Sequence, residues 1–268
     1  MMISSLTSAD PRWEAVATYA DACSWGAGPL LAKMMRSESY RGWERVFVAW
    51  TQAGDVAGYC VLAERDCLPD VPYSPYIGMV FVGEAHRGHR LSEQLLRAAS
   101  DYAAELGFSR VFLVSDHVGL YEKYGFRKVD ERPAPWNPAE MESVFFRHTG
   151  HVPDVSELIG RAVSGTIDRP MGSRHPRAEF LYPVNYGYVD GVPALDGDEQ
   201  DAYFLGVDRP VERFAGRVIA VYHRFDDIED KWIVAPEGVD FPDEEILRQI
   251  HFQEQFFHGR LCRANGAD

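Results

Sequence analysis

Three aspartates, Asp196, Asp198 and Asp201, fall within six residues of one another, a short distance after two tyrosines, Tyr182 and Tyr186. Carboxylates this close repel unless a cation sits among them, and Mg2+ is a hard cation that takes oxygen ligands, often only one or two carboxylates plus a phosphate. The spacing is not that of an EF-hand loop, which wants Asp or Asn at 200 and Gly at 201 where this chain has Gln200 and Asp201. The same residues also suit a solvated Asp- and Gly-rich turn.

A second group of candidates lies in the first half. His86-Arg87-Gly88-His89-Arg90-Leu91-Ser92 is a basic, small-residue segment between an apolar strand pattern at 77–82 and a helical pattern. Unpaired amides at such a helix start, with the helix dipole, make an anion site. A strand pattern at 111–114 follows, and then Leu120-Tyr121-Glu122-Lys123-Tyr124-Gly125-Phe126. By residue pattern alone this is equally an ordinary strand–helix–strand unit with a solvated basic turn.

Composition narrows the field. The chain has 268 residues, 46% of them hydrophobic, enough for one large or two ordinary domains. Its net charge of −14 divides into −4 for residues 1–150 and −10 for 151–268. The acidic excess therefore accompanies the aspartate clusters, and it argues against a nucleic-acid partner. Cys23, Cys60, Cys67 and Cys262 form no C-x-x-C pattern and no disulfide framework. With no signal peptide and no long apolar run, a cytoplasmic protein without a membrane partner is expected.

The elements that must position these residues follow in order. Asp10-Pro11 reads as a capped helix start and 29–36 as a second helix. Patterns at 46–51 and 56–63 form a hairpin through Ala53-Gly54-Asp55, and 66–74 is loop. The helix after the basic turn carries Leu91, Leu95, Ala98, Ala99, Tyr102 and Leu106 on its apolar face, and Gly107 stops it. Pro133 to Pro138 reads as a loop, followed by a strand at 143–147 and a linker at 148–153. Asp154 caps a short helix through Arg161. A strand at 164–168 opens the second half, and a helix at 243–258 lies near the end.

The segment Tyr-Pro-Val-Asn-Tyr-Gly-Tyr from Tyr182, with Asp-Gly-Asp-Glu-Gln-Asp from Asp196, resembles the soluble, Mg-dependent inorganic pyrophosphatases. That resemblance implies a mainly β, barrel-type domain in which Asp196, Asp198 and Asp201 hold Mg2+ and Asp201 orients and deprotonates the attacking water. It places Tyr182 and Tyr186 near the phosphate. In a second loop it assigns Asp226 or Asp227, with Asp230, to metal and Lys231 to phosphate. Arg174 matches the family's phosphate-binding arginine, with Arg177 as a rival. The match has gaps: Asp168 replaces an opening-strand glutamate, a lysine- and glutamate-bearing hairpin is skipped, and His258 and Arg260 stand near a lost Tyr-Lys pair.

The first half resembles the GNAT acyl-CoA-dependent N-acetyltransferases. Arg87 to Ser92 takes the place of their pyrophosphate loop, with Arg90 where a glycine is usual, and the Tyr121–Phe126 run is similar to their tyrosine-bearing segment. The resemblance implies an α/β fold, a mixed sheet with helices, that binds acetyl-CoA. Val80 and Val82, on the splayed strand, would take the pantetheine arm. Arg87, Gly88, His89, Arg90, Leu91 and Ser92 would surround the pyrophosphate, and Tyr121 would protonate the departing thiolate. The acceptor is a small-molecule amine, deprotonated through Glu84, Asp116 or His117.

The expectation is thus a GNAT-like domain at 1–150 and a smaller pyrophosphatase-like barrel at 151–268. Either both are enzymes, acting on an amine and on pyrophosphate or a related phosphoanhydride, or the second is a non-catalytic sensor or docking module. The sequence leaves the acceptor's identity and the oligomeric state open.

Overall fold

The computed structural model describes residues 1–40, 42–176 and 179–264. The chain divides into two compact units, Met1–His151 and Val152–Asp268. No helix among the described residues is long and apolar enough to cross a membrane.

The first unit is a seven-stranded sheet in the order β1-β2-β3-β4-β5-β7-β6. Its strands are β1 (Met2–Leu6), β2 (Arg45–Trp50), β3 (Val56–Ala63), β4 (Tyr76–Val82), β5 (Arg110–Ser115), β6 (Arg127–Ala134) and β7 (Asn137–His148). Every neighbouring pair is antiparallel except β4 and β5. On one face, α1 (Trp13–Ala22) and α2 (Gly28–Arg36) bury Trp13, Val16, Leu31 and Met35 against Val46, Val48, Tyr59 and Phe81. On the other, α3 (Leu91–Glu105) packs Leu91, Leu95, Leu96, Ala99 and Ala103 on Phe47, Leu62, Ile77 and Leu113. The alternation of apolar residues along β2 and β3 supplies both faces at once.

Three expectations change here. Asp10 does not cap α1; its carboxylate accepts from the Arg12 backbone at 2.9 Å and pairs with the Arg12 side chain, so the helix starts at Trp13. The proline-rich stretch at 133–138 is a hairpin: β6 and β7 run into it and leave only Pro135 and Trp136 as the turn. Asp154 turns the chain at Ser156 without a helix following.

The second unit closes a barrel. Strands β8 (Ala162–Arg169), β9 (Asn185–Pro193), β10 (Glu199–Phe204), β11 (Arg213–Arg224) and β12 (Lys231–Ala235) run in the order β12-β10-β9-β8-β11, and β11 pairs back to β12. A short β13 (Gly259–Cys262) adds to β11, and α4 (Asp243–Glu254) covers one side. All five barrel strands contribute to a cluster of Ile167, Val189, Ala202, Phe204, Phe214, Val218, Trp232 and Val234, which fills the interior. The alternate residues Tyr203, Leu205, Ile233 and Ala235 face outward, where Ile246 and Ile250 of α4 bury them. Strand curvature brings backbones close: a Cβ on Gly187 would stand 1.9 Å from the Thr166 carbonyl oxygen.

A buried ion pair fastens α4 to this wall. Arg224 and Glu254 are 2% and 4% exposed and meet at 2.7 Å in a two-pronged contact. Tyr203 donates to the same carboxylate at 2.5 Å, and the Phe257 ring stacks under the guanidinium at 3.5 Å. Removing Glu254 leaves the buried guanidinium with only the part-exposed Asp227 carboxylate, at 2.9 Å, as its counter-ion. Glu254→Gln is therefore expected to lower the stability of the barrel's urea transition by about 3 kcal/mol. A change under about 1 kcal/mol, the range of exposed pairs, would show that the pair does not anchor the helix.

Candidate functional sites

The first site begins with how β4 ends its partnership with β5. The two strands pair only at Tyr76 and Phe112 and then diverge. A bulge opposite Tyr59–Val61 shifts the register of β4, and Met79 takes φ 51°, a left-handed conformation that bends the strand away. From Ile77 onward the β5-facing edge of β4 therefore has backbone groups without a neighbouring strand. Such an edge pairs readily with an extended chain of amides.

A cleft of about 740 Å³ opens here, lined by Val80, Val82, Arg87, Gly88, Arg90, Leu91, Ser92 and Tyr121 among others. Of the cofactor residues expected from sequence, His89 is not in that lining; its ring nitrogen Nδ1 lies 2.9 Å from the Arg87 carbonyl oxygen instead. Gly88 and Arg90 have φ 80° and 55°, and this left-handed pair aims the chain into the start of α3. Arginine at the second position accepts a conformation glycine adopts without strain. Its guanidinium turns to Glu93 at 2.5 Å. Arg87 is likewise engaged, with the Val82 carbonyl and Glu84, each at 3.0 Å. The anion-binding groups left at this corner are thus the first amides of α3, which have no carbonyl one turn earlier.

Tyr121 reaches the cleft from the turn after β5. It is buried against Phe126 and Phe145, and burial pushes its phenol up to about 12, partly offset by the Ser115 hydroxyl. Tyr124 lines the same cleft, and its hydroxyl lies 3.1 Å from Ser92 Oγ, a contact that ties the segment to α3. Glu84 and His117 also line it, whereas Asp116 meets His117 at 3.0 Å. Glu84 is bound by Ser24, whose hydroxyl holds its carboxyl below the usual range.

The second site lies on the outer wall of the barrel. Lys231, 3% exposed, places its ammonium between Asp201 at 2.5 Å and Glu229. Tyr186 donates to the same Asp201 oxygen at 2.5 Å, and Tyr182 packs on Tyr186 with ring centres 5.5 Å apart. Burial, then the Asp201 charge, raises the Tyr186 phenol well above its ordinary value. Burial also raises Glu229, against the pull of Lys231.

This arrangement corrects the expected ligand set. Asp230 turns away to His223 Nδ1 at 2.8 Å, and Asp226 accepts from the His258 backbone at 3.0 Å. Asp196 accepts from the Asp198 backbone at 3.0 Å, and both side chains are exposed. Glu229, one residue before the expected Asp230 in the loop that leads into β12, is the carboxylate that joins Asp201 through Lys231. Arg174 bridges Leu181 through its backbone and is exposed, while Arg169 is the cation acting on Tyr182. Arg177 lies outside the described residues. No three His, Cys, Asp or Glu side chains among the described residues converge as a metal-ligand set. The Lys231 ammonium already supplies the positive charge between the two carboxylates, so the donors as arranged do not fit Mg2+.

Residues 13–126 match the family model described as Acetyltransferase (GNAT) family. No curated protein matches the chain. Among solved structures the chain is similar to nourseothricin acetyltransferase at 23% identity over 40% of this chain and 65% of that one, with a TM-score of 0.34. It is similar to the aminoglycoside 6'-N-acetyltransferase from Enterococcus faecium at 13% identity over 57% and 100%, with a TM-score of 0.46. A spermidine/spermine N-acetyltransferase from Vibrio cholerae aligns at 15% identity over 55% and 94%, with a TM-score of 0.40. The family match does not reach Val152–Asp268.

A phenol raised to about 12 stays protonated through neutral and moderately alkaline pH, so its power to donate a proton is lost only as pH climbs through that value. If Tyr121 is the proton donor, the rate of CoA release should show no fall assignable to phenol ionisation below about pH 11. A descending limb centred near pH 10, absent in Tyr121→Phe, would contradict the buried setting of the phenol.

Proposed function

We propose that Met1–His151 transfers an acetyl group from acetyl-CoA to the amine of a small molecule. The observation that carries this reading is the divergence of β4 from β5 after the Tyr76–Phe112 pair, with Tyr121 at the cleft so formed. The open edge at Val80 and Val82 suits the amides of a pantetheine arm, and the amides of residues 88–93 suit its pyrophosphate. Acetyl-CoA, when bound, supplies the acetyl thioester. Once the amine nitrogen has attacked its carbonyl carbon and the C–S bond breaks, Tyr121 gives its proton to the sulfur. Glu84, already ionised beside Ser24, accepts the amine's proton through water, with His117 of the same lining as the rival base. Tyr121→Phe should lower kcat about a hundredfold and leave KM for acetyl-CoA nearly unchanged. Unchanged kcat would remove Tyr121 from the chemistry, and failure to bind acetyl-CoA would overturn the reading.

For Val152–Asp268 a second reading is a phosphoanhydride hydrolase, supported by the closed five-stranded barrel and the Tyr186–Asp201–Lys231–Glu229 cluster. Asp201 would orient the water and Lys231 would hold a phosphate oxygen. Phosphate release from pyrophosphate, measured with and without Mg2+, should be abolished by Asp201→Asn. Binding of pyrophosphate without release would instead make the barrel a docking or sensing module.

A further inference from the structure

The corner where α3 begins holds hydrogen-bond donors that no group among the described residues uses. The first hydrogen bond inside α3 runs from the Gln94 amide to the Arg90 carbonyl, at 3.2 Å. The amides of Leu91, Ser92 and Glu93 precede it, and the Arg90 side chain at the cap position does not reach them. Arg87 and Arg90, the arginines of the cleft lining, already face Glu84 and Glu93. A ligand seated on the start of α3 therefore meets mainly uncharged donors.

Two side chains add to those amides. Ser92 Oγ and the Tyr124 hydroxyl lie 3.1 Å apart, and both residues line the cleft. Each hydroxyl carries one hydrogen. One of the two is used between the partners, and the other meets no acceptor among the described residues. A spare hydroxyl hydrogen beside three open amides converges on one group of oxygens, and an ionised acceptor gains most from such a set.

The place of Tyr124 in the chain links this corner to the reacting end of the cleft. Tyr124 closes a tight single-turn helix, Glu122–Tyr124, and its amide donates to the Tyr121 carbonyl at 2.9 Å. Residues three apart on such a turn lie on one side of it, and both phenols line the cleft. One short turn thus carries Tyr121 and, toward α3, a second phenol that the transfer chemistry does not use.

We propose that the Tyr124 hydroxyl, shared with Ser92, donates to a phosphate oxygen of the CoA pyrophosphate and makes the cleft discriminate CoA from its phosphate-free pantetheine portion. Tyr124 is then a specificity-determining residue, separate in task from Tyr121. The identity of the ligand rests on the acetyltransferase reading, but the contact is measurable by binding alone.

The test is calorimetric titration of the full chain with CoA, with 3'-dephospho-CoA, which keeps the pyrophosphate, and with pantetheine, which has no phosphate. Tyr124→Phe removes only the hydroxyl. It should weaken CoA and 3'-dephospho-CoA alike by about tenfold, the loss of one hydrogen bond to a charged group, and leave pantetheine binding unchanged. Ser92→Ala, which removes the hydroxyl that orients the phenol, should weaken the same two ligands in the same direction. Unaltered CoA binding in Tyr124→Phe would overturn the proposal. So would equal weakening of CoA and pantetheine, the mark of a packing role, or weakening of CoA alone, the mark of a contact to the 3'-phosphate. The expected pattern in a chain that releases no CoA from acetyl-CoA with any primary amine would keep the phosphate contact and defeat the acetyltransferase reading. A wild-type chain that binds no CoA would overturn both.

Discussion

The first unit depends on one broken interaction, the pairing of two parallel strands that stops after its first pair. Continued pairing of β4 with β5 beyond Tyr76 and Phe112 would satisfy both edges and close the sheet. The left-handed turn of the backbone at Met79 prevents it, and the cost of that conformation is borne by packing on both faces. Everything proposed for the unit uses the opening. One edge is free for a ligand's amides, α3 begins beside it, and Tyr121 arrives from the strand on its far side.

The barrel is organised by a different constraint, the compensation of charge inside a wall of aromatic rings. Lys231 holds Asp201 and Glu229 together, and Arg224 holds Glu254, each with a tyrosine donating to one of the carboxylates. Such pairs are strongly destabilised when one member is removed, although the intact pair adds little net stability over an apolar replacement. Their value here is placement, since they fix where two phenols and an ammonium point.

Much of this was legible from residue pattern, and the failures have physical causes. Alternating apolar residues marked β2, β3 and β4, and the period of Leu91, Leu95 and Ala99 marked α3 with its glycine stop. Strand β1 escaped because five residues containing Ser4-Ser5 carry too little alternation. The β6–β7 hairpin was hidden by prolines, which edge strands and turns tolerate. The Met79 bulge has no residue-type signal, because methionine is an unusual occupant of a left-handed conformation. At the barrel site the two tyrosines, Asp201 and Lys231 were legible. Glu229 was passed over for Asp230 because adjacent carboxylates in the loop before β12 carry no residue-type signal of which one turns to Lys231 and which to His223. Arg169 was missed because nothing local distinguishes it; only the fold sets it beside Tyr182.

The most direct measurement of the central claim is backbone hydrogen exchange of the full chain with and without CoA. The account predicts slowed exchange along Tyr76–Val82 and at residues 88–93, the open edge and the start of α3, with little change in Val152–Asp268. Unchanged exchange in both segments at saturating CoA, or protection confined to the barrel, would contradict the claim that the split between β4 and β5 is a binding site.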